Sequence, residues 1–270
     1  MKKRSDRLAM AAALLLASPL LAAWIPRLGA SPLLDLPAPY WAGLVRSFRQ
    51  VSITLLATLA ITTAVTVVMS YFSILWWAFG KTLRMILDVV ESIPSILVAL
   101  FCYAPVSVVL AKNPESASAL LSLFVFIFAA FLTTLPEAVR SVTLPLAELY
   151  HRKYSVSFRA YGFTKAGILL ILMNSRAMRD AIKRSCAAIL LKTLVLDCSF
   201  GFIIQIGMGS YGTPAHTSPG ALIAANRDAI FSAIEKAGRS PAMFWLPSAL
   251  LVMISLSFLA VLSDKKEASL

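Results

Sequence analysis

The chain has 270 residues, of which 59% are hydrophobic, with a mean hydropathy of +0.80 and a formal net charge of +12. Six separate apolar runs, each near the roughly 20 residues needed to cross a bilayer as a helix, exclude an ordinary soluble domain, and their lack of two-residue alternation excludes a barrel. The charge points to membrane topology rather than nucleic acid, because the basic residues alternate from one side of the runs to the other.

The runs fall at residues 8–25, 51–72, 85–110, 117–135, 185–206 and 242–262. They define an all-α, polytopic membrane protein of six transmembrane helices. One face receives seventeen basic residues, nine of them between Arg140 and Arg184, and the other receives seven. The positive-inside rule therefore places both termini and the 140–184 segment in the cytoplasm. The basic, apolar start also has the layout of a cleaved leader, but its apolar part is long for one and no A-x-A site follows, so it is read as the first span. Residues 1–50 form an N-terminal helix with an external loop, and residues 51–270 form the core.

In chain order, the segment 26–50 holds four prolines together with Tyr40 and Trp41. It is expected to be an external loop ending in a short amphipathic helix, with the aromatic rings at headgroup level. The third run opens at Trp76, Trp77, Lys81 and Arg84, which mark the cytoplasmic interface, and Asp88 lies four residues after Arg84, the spacing of an ion pair. Pro94 sits inside this run, where it removes a backbone bond and is expected to kink the helix at a pathway-lining position. "AGILLILMNS", from Ala166, is too short to cross and reads as a buried or interfacial helix. The 45-residue cytoplasmic stretch containing it is long enough to be functional in its own right. Beyond the fifth run lies a Gly- and Pro-rich external loop, then an amphipathic pattern over residues 219–237. The three cysteines lack CxxC spacing and read as reduced packing residues.

Few patterns carry chemistry. "AFGKT" ends like a nucleotide-binding loop, but Leu75 stands where its first glycine is required. His151 and His216 are the only histidines and have no ligand-spaced companions, so no metal site is expected. No catalytic set is expected either, and the chain reads as a non-enzyme. Lys192 and Asp197 are the intramembrane charges. Five residues apart, they do not share a helix face; Lys192 either snorkels to the cytoplasm or joins Asp197 in an ion relay.

The segment "HRKYSVSFRAYGFTK", residues 151–165, is basic, aromatic and turn-broken. Contact with lipid headgroups would explain its charge, but not Tyr154, Phe158 and Tyr161, which at i, i+4 and i+7 make one aromatic helix face suited to a groove on another protein. Gly162 would end that helix in a left-handed turn. From about Arg46 onward the chain resembles the inner-membrane permease subunits of ATP-binding-cassette importers, in the dipeptide, oligopeptide and nickel group. Tyr154, Arg159, Ala160 and Gly162 match that family's cytoplasmic signature E-Y-V-E-A-A-R-A-L-G, whose centre is replaced by Val156, Ser157 and Phe158. Arg84, Asp88, Pro94 and Ser95 resemble its third span. Gly207, Gly209 and Gly220 resemble the glycines around its last external loop, and "WLPSALLVMISLSFLAVLSDKKE" its final span.

The resemblance implies a type I importer permease of divergent sequence in the bacterial inner membrane, in contact with membrane lipid. It implies a second homologous permease subunit, two cytosolic ATPase subunits and an external substrate-binding protein. ATP would be bound by those partners, with no cofactor on this chain. Tyr154, Phe158, Arg159, Ala160, Tyr161 and Gly162 would couple to the ATPase; Pro94, Asp197, Gly207 and Gly209 are the pathway or gating candidates. The implied cargo is a short peptide, with nickel second. A secondary carrier or channel using Lys192 and Asp197, and a membrane scaffold that transports nothing, are the other readings.

Overall fold

The computed structural model describes residues 36–112, 116–208, 218–230 and 240–263. The described residues are all helical apart from short connections. In chain order they form α1 (Ala38–Leu75), α2 (Trp77–Ser92), α3 (Ser95–Lys112), α4 (Ser116–His151), α5 (Lys153–Ala160), α6 (Lys165–Met173), α7 (Arg176–Met208), α8 (Pro219–Ala225), a 3₁₀ turn (Arg227–Ile230) and α9 (Ala242–Ser263). Four helices, α1, α4, α7 and α9, are long and apolar enough to cross a membrane; α2 and α3 together make a fifth if their bent pair is one span. This set suits a membrane-spanning protein. The expected span at 8–25, Gly209 and the helical pattern beyond residue 230 lie outside the described residues.

Three expectations are corrected. The third run is not one kinked helix: α2 and α3 meet at 88° across Ile93 and Pro94. Ile93 is extended (φ −89°, ψ 129°), the conformation that a following proline imposes. The Pro94 carbonyl then accepts the first amides of α3, from Leu97 and Val98. The amphipathic helix expected to end the 26–50 segment is no separate element, because α1 runs unbroken from Ala38. Its Pro39 lies in the first turn, where a missing N–H costs nothing. Tyr40 and Trp41 are buried within the protein, and the Tyr40 hydroxyl donates to the Met243 carbonyl at 2.8 Å. The 140–184 segment is also not a loop: α4 continues to His151, and α7 already begins at Arg176.

α1 packs along α4 and α7. Its buried face against them carries Thr54, Thr58, Thr62, Thr66 and Ser70, and the small side chains let the helices approach closely. Hydroxyl pairs cross the α1–α4 seam, Thr62 with Thr134 at 3.4 Å and Thr143 donating to Ser70 at 3.1 Å. A second core joins α1, α7 and α9 through Phe48, Leu55, Leu194, Ile254 and Phe258. A third sets Phe200 of α7 against Tyr103 and Phe126, with ring centroids 5.1 and 5.2 Å apart. The three cysteines are free thiols.

Candidate functional site

The short helix α5 and its neighbour α6 fill the gap between the ends of α4 and α7. α6 sits there because Ile168, Leu169 and Leu172 are fully buried against Val142, Leu146 and Leu149 of α4 and Met178 of α7. These α4 residues, with Leu135 and Val139, recur at helical spacing beyond the apolar run, which is why α4 outlasts it. Thr164 caps α6, its hydroxyl accepting from the Gly167 amide at 3.3 Å.

α5 ends in a complete Schellman turn. The Phe163 amide donates to the Phe158 carbonyl at 3.1 Å and the Gly162 amide to the Arg159 carbonyl at 2.9 Å. The turn's usual hydrophobic contact is also present, Phe158 and Phe163 meeting edge to face at 5.5 Å. Gly162 has φ +82°, the left-handed conformation expected of it, and no neighbour lies within 4 Å of the position a Cβ would take. Backbone conformation alone therefore demands glycine here.

Side chains that the sequence alone does not pair then tie α5 to α4 and α6 to α1. Arg159 donates to the Tyr150 carbonyl at 3.2 Å and stacks 4.3 Å from the Tyr150 ring centroid. Lys165 lies 5.9 Å from the same centroid and donates at 2.9 Å to the carbonyl of Leu75, the last residue of α1. Tyr150 is thus a ring shared by two cations, and Lys165 closes an open helix C-terminus. The three aromatic positions expected to share one face divide. Tyr154 lies in the first turn. Phe158 is half-buried and, with fully buried Ser155, faces the hairpin's own core. Tyr161 stands where the helix ends and is 82% exposed. Val156, Tyr161 and Phe163 are the outward apolar side chains, beside exposed Arg159 and Ala160.

The other charged cluster lies on α2. Arg140 of α4 holds two carboxylates through one guanidinium nitrogen, Asp88 at 2.8 Å and Glu91 at 2.9 Å. The ion pair expected between Arg84 and Asp88 gives way to this clamp, and Arg84 instead donates to the Gly80 carbonyl at 3.2 Å. Between clamp and hairpin lies a cleft of about 450 Å³, lined by Trp77, Arg84, Asp88, Arg140, His151 and Lys165 among others.

The pathway candidates among the described residues lie on two stretches of chain. Pro94 is at the α2–α3 break, Asp197 is 1% exposed inside α7, and Gly207 is in the last turn of α7. Lys192 pairs with Glu137 of α4 at 3.3 Å. Among the described residues no three His, Cys, Asp or Glu side chains gather as metal ligands would. Sequence reasoning missed Tyr150, Glu137 and the double partnership of Arg140, because each acts on a residue far from its chain neighbours. No protein-family model matches the chain, and no curated protein matches it.

Proposed function

We propose that this chain is the transmembrane permease subunit of an ATP-driven importer of the ABC class. It would move a small solute, a di- or oligopeptide in the first place and nickel in the second, across a bacterial inner membrane. The observation that carries the reading is the α5–α6 hairpin: a short helix at the ends of two long ones, braced by Arg159, Tyr150 and Lys165, with Val156, Tyr161 and Phe163 turned outward. A rigid projection with exposed apolar side chains is what a partner with a groove can grip. The partial signature from Tyr154 to Gly162 supplies the identity of that partner, an ATPase subunit.

On this reading the chain itself binds no ATP and catalyses no reaction. It would work beside a second homologous permease subunit, two cytosolic ATPases and an external binding protein, with six spans counting residues 8–25 and both termini in the cytoplasm. ATPase closure would push on α5, and the Tyr150 and Leu75 tethers would pass the movement to α4 and α1. A second reading, a carrier or channel, draws on the Lys192–Glu137 pair between α7 and α4 and on the buried Asp197.

Co-purification of the ATPase subunits separates the two. Tyr161→Ala combined with Val156→Asp should release the ATPases while the permease still inserts, because anchor side chains at an interface are worth about 2 kcal/mol or more. Full retention of the ATPases by that variant would remove the hairpin from the coupling interface. Solute uptake by the purified chain alone, abolished by Lys192→Gln and Asp197→Asn, would favour the carrier.

A further inference from the structure

A small pocket of about 120 Å³ lies between α4, α7 and the end of α9, away from the hairpin. One face of α7 supplies Ser185, Ala188, Ile189 and Lys192, spaced i, i+3, i+4 and i+7, and Arg184 stands at its edge. α4 contributes Glu137 and Ser141. Ser185 is only 4% exposed, and its hydroxyl has no hydrogen-bond partner among the described residues; neither has the buried Nε of Arg184. A buried donor without a partner bears its desolvation cost uncompensated, and both of these belong to residues that line the pocket, where an acceptor would offset that cost. Lys192 leans back toward the same level, because helical side chains incline to the N-terminus.

Charge selects the acceptor. Arg184 and Lys192 set against Glu137 leave one net positive charge, which one singly charged group balances. The level along the helices selects further. On α4 the apolar run ends at Leu135, just before Glu137, and on α7 the basic stretch ends at Arg184, just before the apolar run. On both helices the pocket therefore sits where apolar sequence gives way to charge, the height of lipid headgroups. We propose that this pocket binds a phosphate group of one net negative charge, presented by the headgroup of an anionic phospholipid. Arg184 Nε and Ser185 Oγ donate to its oxygens, and Lys192 is shared between it and Glu137. The proposal does not depend on the importer reading, since no ATPase, binding protein or cargo enters it.

The test uses the full-length chain in nanodiscs of phosphatidylcholine with a minor share of phosphatidylglycerol, and native mass spectrometry to count retained lipid. The wild-type chain should keep phosphatidylglycerol in preference to phosphatidylcholine. Arg184→Gln should lower that retention by about tenfold or more, the scale of one hydrogen bond to a charged group. Ser185→Ala should lower it in the same direction, and it serves as the deciding variant if Arg184→Gln fails to insert. Lys153→Gln, an equal loss of charge on exposed α5, should change nothing. A second arm heats the lipid-free chain in detergent with inorganic phosphate or with chloride. Protection by phosphate that Arg184→Gln or Ser185→Ala abolishes, without lipid preference, would keep the phosphate chemistry but assign it to a free ion. Lipid retention and phosphate protection both unchanged by Ser185→Ala and by Arg184→Gln would overturn the proposal.

Discussion

The hairpin α5–α6 and the bent arm α2–α3 both depart from a simple bundle of spans, and they are held in different ways. The hairpin's turns are set locally, by a left-handed glycine, a Schellman turn and a threonine cap, while α6 is seated by packing on α4 and α7 and two cations bind the Tyr150 ring of α4. The arm is fixed from outside. At one end Gly80 lies so close to the Ser73 carbonyl that a Cβ there would overlap it, and near the other Arg140 clamps Asp88 and Glu91 from a separate helix. The arm is also packed along its length, Leu83 and Leu87 against Leu135 and Val139 of α4 and Tyr103 against Phe126 and Phe200, so its position follows the helices it lies on.

The contrast is open to attack at three strengths. Gly80→Val should have the largest effect, because the added side chain meets the Ser73 backbone; overpacking costs about 1–3 kcal/mol, and a backbone clash lies at the upper end. Hydrogen exchange throughout α2 should accelerate, and the thermal midpoint should fall. Normal exchange in α2 would show that the corner opens freely. Gly162→Ala comes next. With no neighbour to strike, it carries only the strain of a left-handed non-glycine residue, about 1–2 kcal/mol. Amides of α5 should then exchange about tenfold faster while α2 is unaffected. Acceleration in both regions would mean that the hairpin's turn is not locally set.

The smallest effect belongs to Arg140→Gln. Its pairs are half-exposed and worth under about 1 kcal/mol together. Exchange in the last turn of α2 should rise only a few-fold, and high salt should reproduce the rise in the unaltered chain. Adding Asp88→Asn and Glu91→Gln should bring no further change, since all three act through one guanidinium; additive effects would show that the carboxylates have other partners.

The same division explains what could be read from the sequence. The all-helical class, the short helix at residue 166 and the left-handed Gly162 were legible because each is written in a few adjacent residues. The length of α4 was not read, because hydropathy stops at Leu135 while the helical spacing of Val139, Val142, Leu146 and Leu149 continues past it. Nor was the partner of Asp88: Arg84 is nearest along the chain, yet the residue that reaches it is 52 positions away. Pro94 was expected to bend one helix. The extended Ile93 before it ends that helix instead, while Pro136 and Pro145 are carried inside α4. The split of Phe158 and Tyr161 was hidden because i, i+4, i+7 spacing describes a face only while the helix lasts, and this helix stops before Tyr161.

The length of α4 has a mechanical consequence. Its 36 residues make a rod of about 54 Å, at 1.5 Å per residue. A bilayer's hydrocarbon occupies only about 30 Å of that. If α4 is a span, its length exceeds the hydrocarbon by about 24 Å, and the hairpin is fastened to its last turn through Tyr150. A tilt of about 10° about the membrane edge carries that end sideways by about 4 Å, nearly one helical turn, while residues inside the hydrocarbon shift far less. The end of α4 is not free, since Val142, Leu146 and Leu149 are packed against α6, so such a tilt would carry the hairpin with it.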